Sequence, residues 1–124
     1  MSEFIANNSM TFKFENPAHS GTVTITTPAS TKVKAGGVGV HKDNMAIVIS
    51  NGSDGSITNA TGSGVINATA QKAKADGVLV LREGDKNNIP IVMTGTNPSP
   101  PPPTSTYTTV VVIDDPGQDK VKAG

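Results

Sequence analysis

An all-β fold is what this sequence predicts, on three observations: apolar residues alternate with polar ones, short β-branched runs sit between turn formers, and one phrase occurs three times. Phe12 and Phe14 alternate with Thr11, Lys13 and Glu15, and Val23 and Ile25 alternate with Thr22, Thr24 and Thr26. Side chains of a strand point to opposite faces in turn, so such a pattern buries one face and wets the other. Strand-sized runs follow at 38–40, 46–49, 65–66, 78–81, 89–93 and 110–113, most of them flanked by Gly, Asn, Asp or Pro. Asn51-Gly52-Ser53-Asp54-Gly55 reads as a turn with positions that tolerate positive φ. Residues 67–75 contain good helix formers, yet Lys72 and Lys74 alternate with Ala73 and Ala75, which favours a half-buried strand over so short a helix. The proline-rich stretch 97–104 reads as a polyproline II spacer or a surface loop. At about 3.1 Å per residue a spacer would carry the chain roughly 20 Å and deliver the β-prone run 107–113 to a sheet.

Composition narrows the function. The chain has 124 residues with 35% hydrophobic and 3% aromatic content, so its core is thin for one domain, which is taken to span 1–124. With no cysteine, disulfides cannot compensate, and a partner surface is the expected source of extra stability. Ten basic residues balance ten acidic ones and stacking side chains are scarce, which argues against nucleic acid as a partner. No run approaches the roughly 18 apolar residues of a membrane span, so no stable membrane insertion is expected. Met1-Ser2-Glu3-Phe4-Ile5 lacks a basic region followed by an apolar one, and the expectation is a protein made in the cytoplasm without a signal peptide. Gly36-Gly37-Val38-Gly39 lacks the spacing and the lysine of a nucleotide loop. Asn59-Ala60-Thr61 and Asn67-Ala68-Thr69 match a glycosylation pattern that is idle without secretion. Asp85, Asp114 and Asp115 are read as solvated turn residues, and no histidine or lysine is assignable as activator of a serine. The chain is expected not to be an enzyme.

The repeat is the informative feature. Lys32-Val33-Lys34-Ala35-Gly36, Lys72-Ala73-Lys74-Ala75-Asp76 and Lys120-Val121-Lys122-Ala123-Gly124 share one pattern, and the middle lysines are 40 and 48 residues apart. A β-prone run and small polar residues precede each copy; a glycine and an alternating run follow the first two, Gly37-Val38-Gly39-Val40 and Gly77-Val78-Leu79-Val80. The repeat-like segments are about 22–50, 64–95 and 107–124. Three units of this kind can close into a ring with pseudo-threefold symmetry and present three similar edges to a true trimer. Lys32, Lys34, Lys72, Lys74, Lys120 and Lys122 would line those edges, where charge also discourages aggregation.

The second copy, from Ala73 through Gly77-Val78-Leu79-Val80-Leu81-Arg82-Glu83-Gly84-Asp85, resembles the core segment of PAAR-repeat proteins. Gly77, Arg82, Gly84 and Asp85 match that motif, while Leu79-Val80-Leu81 replaces its Pro-Ala-Ala stretch. The first copy keeps Gly37 and a basic Lys42, with Asp43-Asn44 where Gly-Asp would stand. The resemblance implies a small conical β-rich domain that caps the blunt end of a homotrimeric β-helical spike. Such spikes belong to type VI secretion systems, contractile phage tails and related injection particles. It further implies one chain per trimer, room for effector cargo, and assembly into a virion or injection particle whose baseplate spike it sharpens for membrane penetration. Family members commonly pin the apex with a metal held by histidines and a cysteine. Here only His19 and His41 are on offer, so a zinc or iron ion at the tip and a pair of plain surface or turn histidines stand as alternatives. The competing function is a β-rich capsid decoration or glycan-binding module.

Overall fold

The computed structural model describes residues 3–97, 104–118 and 121–123. Its strands, in chain order, are β1 (Glu3–Phe4), β2 (Thr11–Phe14), β3 (Ser20–Ile25), β4 (Lys34–Ala35), β5 (Val38–Gly39), β6 (Met45–Ser53), β7 (Thr58–Ile66), β8 (Lys74–Ala75), β9 (Val78–Leu79), β10 (Ile91–Thr96), β11 (Thr104–Thr109), β12 (Val111–Asp115) and β13 (Lys122–Ala123). The described residues contain no helix, so none that is long and apolar enough to cross a membrane. The all-β expectation is met, and period-two burial is the reason. In β10, Ile91, Met93 and Gly95 are buried while Val92, Thr94 and Thr96 face out.

The strands form one five-stranded sheet in the order β11-β10-β7-β6-β3, the pair β12-β2, and three short pairs, β4-β5, β8-β9 and β1-β13. All these pairings are antiparallel. The larger core cluster gathers Met45, Ile47, Ile49, Ile66, Leu81, Ile91, Met93, Val111 and Ile113 among others, with Phe12, Phe14, Val23 and Ile25 packed on it half-buried. A second, smaller cluster of Ile5, Ala35, Val40, Ala70, Ala75 and Val80 lies under the short hairpins.

Several local expectations need correction. The turn expected at 51–55 begins later, because β6 continues to Ser53 with a register shift between Ile49 and Gly52. Asn51 takes up the shift at φ +53°, and the reversal is held by Asp54, whose Oδ1 accepts from the Ser56 and Ile57 amides at 2.9 and 2.7 Å. In 67–75 only Lys74–Ala75 is strand, yet the alternation holds, with Lys72 and Lys74 exposed and Ala75 buried. Ile89 lies outside β10 and is 77% exposed. The run 107–113 is divided at Val110 between β11 and β12, which serve different sheets. Thr104, assigned to the spacer, opens β11, whereas 98–103 lie outside the described residues.

β7 was expected only at its end, Val65-Ile66, and the rest of the strand was hidden in the sequence. Its middle, Thr61-Gly62-Ser63-Gly64, carries little apolar signal because β10 lies directly against it. A Cβ on Gly62 would come within 2.7 Å of Met93 Sδ, and one on Gly64 within 2.6 Å of Ile91 Cγ1. Glycine supplies the room that two large side chains of the neighbouring strand occupy.

Candidate functional site

The three copies of the lysine phrase fold into three equivalent hairpins. In the first, Lys34 lies opposite Gly39 and Ala35 opposite Val38; in the second, Lys74 lies opposite Leu79 and Ala75 opposite Val78. The third is composite: Lys122 pairs with Phe4 and Ala123 with Glu3, so the returning strand comes from the other end of the chain. The returning run that the sequence reading did not find after the third copy is Phe4-Ile5-Ala6. Phe4, Ile5 and Ala6 are all apolar and show no alternation, and the length of the chain separates them from their partner strand. Ile5, Val40 and Val80 are therefore equivalent, as are Ala6, His41 and Leu81, and then Asn7, Lys42 and Arg82.

These equivalent positions bind one another in closed cycles. The Ala6 amide donates to the Leu81 carbonyl at 2.9 Å, Leu81 to His41 at 2.9 Å, and His41 back to Ala6 at 3.2 Å. A second cycle joins the Asn8, Asp43 and Glu83 amides to the Gly39, Leu79 and Phe4 carbonyls at 2.9, 2.9 and 2.8 Å. Bridges Asn7↔Val40, Lys42↔Val80 and Ile5↔Arg82 repeat the same rotation. Each unit hands on to the next and the third returns to the first, which is pseudo-threefold symmetry expressed in backbone hydrogen bonds. Inside each unit the same contact recurs, from Val40, Val80 and Ile5 amides to Val33, Ala73 and Val121 carbonyls at 3.1, 3.0 and 2.9 Å.

The side chains differ where the units differ. Asp76, at the second hairpin's tip with φ +51°, reaches the first unit: it accepts from Ser30 Oγ at 3.0 Å and pairs with Lys42 Nζ at 3.2 Å. Those two contacts, the Ser30 bond foremost, hold its carboxyl below the ordinary range. The first hairpin has Gly36 at that position, where a Cβ would lie 2.6 Å from Gln118 Cβ of the third unit, so no aspartate fits. Of the motif residues, Gly77 (φ +83°) and Gly84 (φ +89°) make turns. Arg82 and Asp85 close on Thr69. Asp85 accepts from the Arg82 amide at 3.0 Å, from the Thr69 amide at 3.4 Å and from the Thr69 hydroxyl, while Arg82 donates to Thr69 Oγ1 at 3.0 Å and to its carbonyl at 3.2 Å. Burial pushes the Asp85 carboxyl up, against the pull of these hydrogen bonds. In the first unit Asp43 holds a neighbour instead, accepting from the Ala68 amide at 2.8 Å. In the third, buried Asn7 stands at the Arg82 position, donating to the Ala35 carbonyl at 2.9 Å and the Gly117 carbonyl at 3.3 Å and accepting from the Ser9 amide at 2.8 Å. Asn7, Ser30 and Thr69 carried no signal in the sequence beyond being small and polar.

The predicted docking lysines Lys32, Lys34, Lys72 and Lys74 are all exposed, two on each of two equivalent hairpins. Lys120 lies outside the described residues, and of Lys122 only the backbone, in β13, is described. The two histidines are in different surroundings. His41 is 1% exposed in the backbone cycle, with Nε2 2.8 Å from Asn8 Oδ1; burial, then the charge of Lys42, holds its pKa below the ordinary value. His19 Nδ1 lies 2.9 Å from Thr109 Oγ1, and its ring is 5.0 Å from that of Tyr107. Among the described residues no group of three or more His, Cys, Asp or Glu side chains could hold a metal ion, and the two histidines engage Asn8 and Thr109. Comparison with family models, with curated proteins and with solved structures finds no match to this chain.

Proposed function

We propose that this chain is a PAAR-like tip that caps a homotrimeric β-helical spike of a contractile tail or injection particle, with a mechanical and not a catalytic role. The closed backbone cycle through Ala6, His41 and Leu81 supports the reading above all else. A trimeric spike ends in three identical strand edges related by rotation. A single chain can meet all three only if it imitates that rotation, and here three unequal hairpins do so. The hairpin edges carry Lys32, Lys34, Lys72 and Lys74, which suit them to orient a partner without aggregating beforehand. Interlocked hydrogen bonds among units distant in sequence resist axial load better than independent hairpins would. The test is co-expression with the β-helical spike protein of the same particle, followed by native mass measurement. The expected mass is three spike chains plus one of this chain. Binding to a capsid lattice or to sugar, with no spike complex, would replace this reading with a decoration or glycan-binding module.

A further inference from the structure

The rotation that relates the three units also predicts how their longer strands should pair, and one junction departs from it. Ile25, Ile66 and Ile113 each end the inward-facing run that leads into a hairpin, and Met10, Met45 and Asp85 each lie four residues beyond the backbone cycle. Between the first and second units Met45 pairs with Ile66, Ile47 with Gly64 and Ile49 with Gly62. Between the second and third, the Ile113 amide donates to the Asp85 carbonyl at 2.9 Å. Between the third and first, the same rule would set Met10 opposite Ile25, Phe12 opposite Val23 and Phe14 opposite Gly21. Those strands are not paired: β2 is bonded only to β12 and β3 only to β6 among the described residues. A cleft of about 500 Å³ lies between them, lined by these six residues together with Asn8, Thr11 and Thr24.

The backbone of the cleft walls is turned toward it. Glu15 donates to Val110 and Thr26 to Ala46, both at 2.9 Å, which fixes the alternation on each strand. Lys13 and Glu15 face β12, so Phe12 and Phe14 present their N–H and C=O groups on the opposite edge; Thr24 and Thr26 face β6, so Val23 and Ile25 do the same. We infer that this cleft is a strand-addition site that takes one extended, uncharged segment of a partner polypeptide, with backbone hydrogen bonds to β2 and β3 and apolar side chains on Phe12, Phe14, Val23 and Ile25.

The occupant follows from three constraints. It must have both edges free, since it bonds a strand on either side; β2, β3 and β11 of a second copy are each already bonded on one edge, which excludes a folded sheet and leaves a tail or linker. Its contact residues are neutral, because the lining has no charged side chain to answer one. Its contact positions are free of proline, because proline cannot donate to a ladder. The site is single, on one side of a pseudo-threefold body, and so is separate from the symmetric docking proposed above.

A random ten-residue displayed peptide library selected on the full-length chain tests this. Enriched peptides are expected to be uncharged with alternating apolar residues, and a synthetic one should slow amide exchange at 11–14 and 20–25 by about tenfold or more while leaving β10 and β11 unchanged. Val23→Pro removes a cleft-facing N–H that β6 does not use, and should weaken the peptide by about tenfold. If that variant fails to fold, the exchange map on the unmodified chain decides alone. Absence of enriched peptides, charged consensus sequences, protection elsewhere, or occupation of the cleft by a second copy on mass measurement would each overturn the inference. Loss of spike binding leaves these readouts untouched.

Discussion

At Asn7 one amide performs the work that a cation does in the sister units. Its side chain is fully buried, bonds two carbonyls of separate segments and receives the Ser9 amide, so it ties the third unit to the first. Asn7→Ala leaves these groups buried without partners. The expected loss is about 1–3 kcal/mol, read from the urea midpoint, with no change in the slope. His41 makes a second residue-level prediction. Burial disfavours its charged form, so the folded pKa is lowered from 6.5 and the unfolded chain binds the proton more readily. Stability is therefore full above the unfolded pKa and falls as the pH drops below about 6.5. Asp76, with its lowered pKa, also loses stability on acidification, but only in the carboxylate range below about 4, while Asp85, with its raised pKa, acts in the opposite sense. Urea midpoints compared at pH 7 and pH 5 should fall for the parent chain and stay flat for His41→Gln. An equal fall in the variant would assign the pH dependence elsewhere.

Strands reveal themselves in sequence only where their own side chains do the packing. β6, β10 and β12 were legible because Ile47, Ile49, Ile91, Met93, Val111 and Ile113 carry the core from their own positions. β7 was legible only at Val65-Ile66, because its inner positions before them are glycines over which Ile91 and Met93 lie, and their signal belongs to another strand. The turn after β6 was placed too early for a related reason: Asn51 and Gly52 serve a bulge, and the residues that suit a bulge also suit a turn. The first two hairpins were legible in the repeated lysine phrase, but the third was hidden by chain connectivity, and Asn7 by having no chemistry beyond an amide. Gly64→Val tests the packing argument at this scale. The added Cβ would lie 2.6 Å from Ile91 Cγ1, so overpacking of about 1–3 kcal/mol is expected. Combined with Ile91→Ala, the loss should be less than the sum of the two single effects by at least about 0.5 kcal/mol. Additive losses would mean that the two strands do not share this space.

The molecule as a whole joins a sheet-built body to a ring of hairpins; the hairpins bury a small cluster of their own, while Ala6 and Leu81 of the backbone cycle pack into the larger one. Removing 104–124 would test docking badly, since it also strips β11 from the five-stranded sheet and β12 from β2. Removing 121–124 is sharper. It takes away β13, the Val121 carbonyl that receives the Ile5 amide, and the paired bonds of 2.8 Å between Gln118 and Val121, while every strand of the larger sheet remains. The cycle through Ala6, His41 and Leu81 does not use these residues and should persist with one hairpin missing its outer strand. The shortened chain should therefore keep its far-ultraviolet circular dichroism and a cooperative urea transition with a lowered midpoint, yet fail to appear in a complex of three spike chains to one. Two intact hairpins cannot satisfy three equivalent edges. A shortened chain that still caps the spike at that ratio would show that docking does not depend on threefold mimicry, and the tip assignment would lose its basis even though the fold stands.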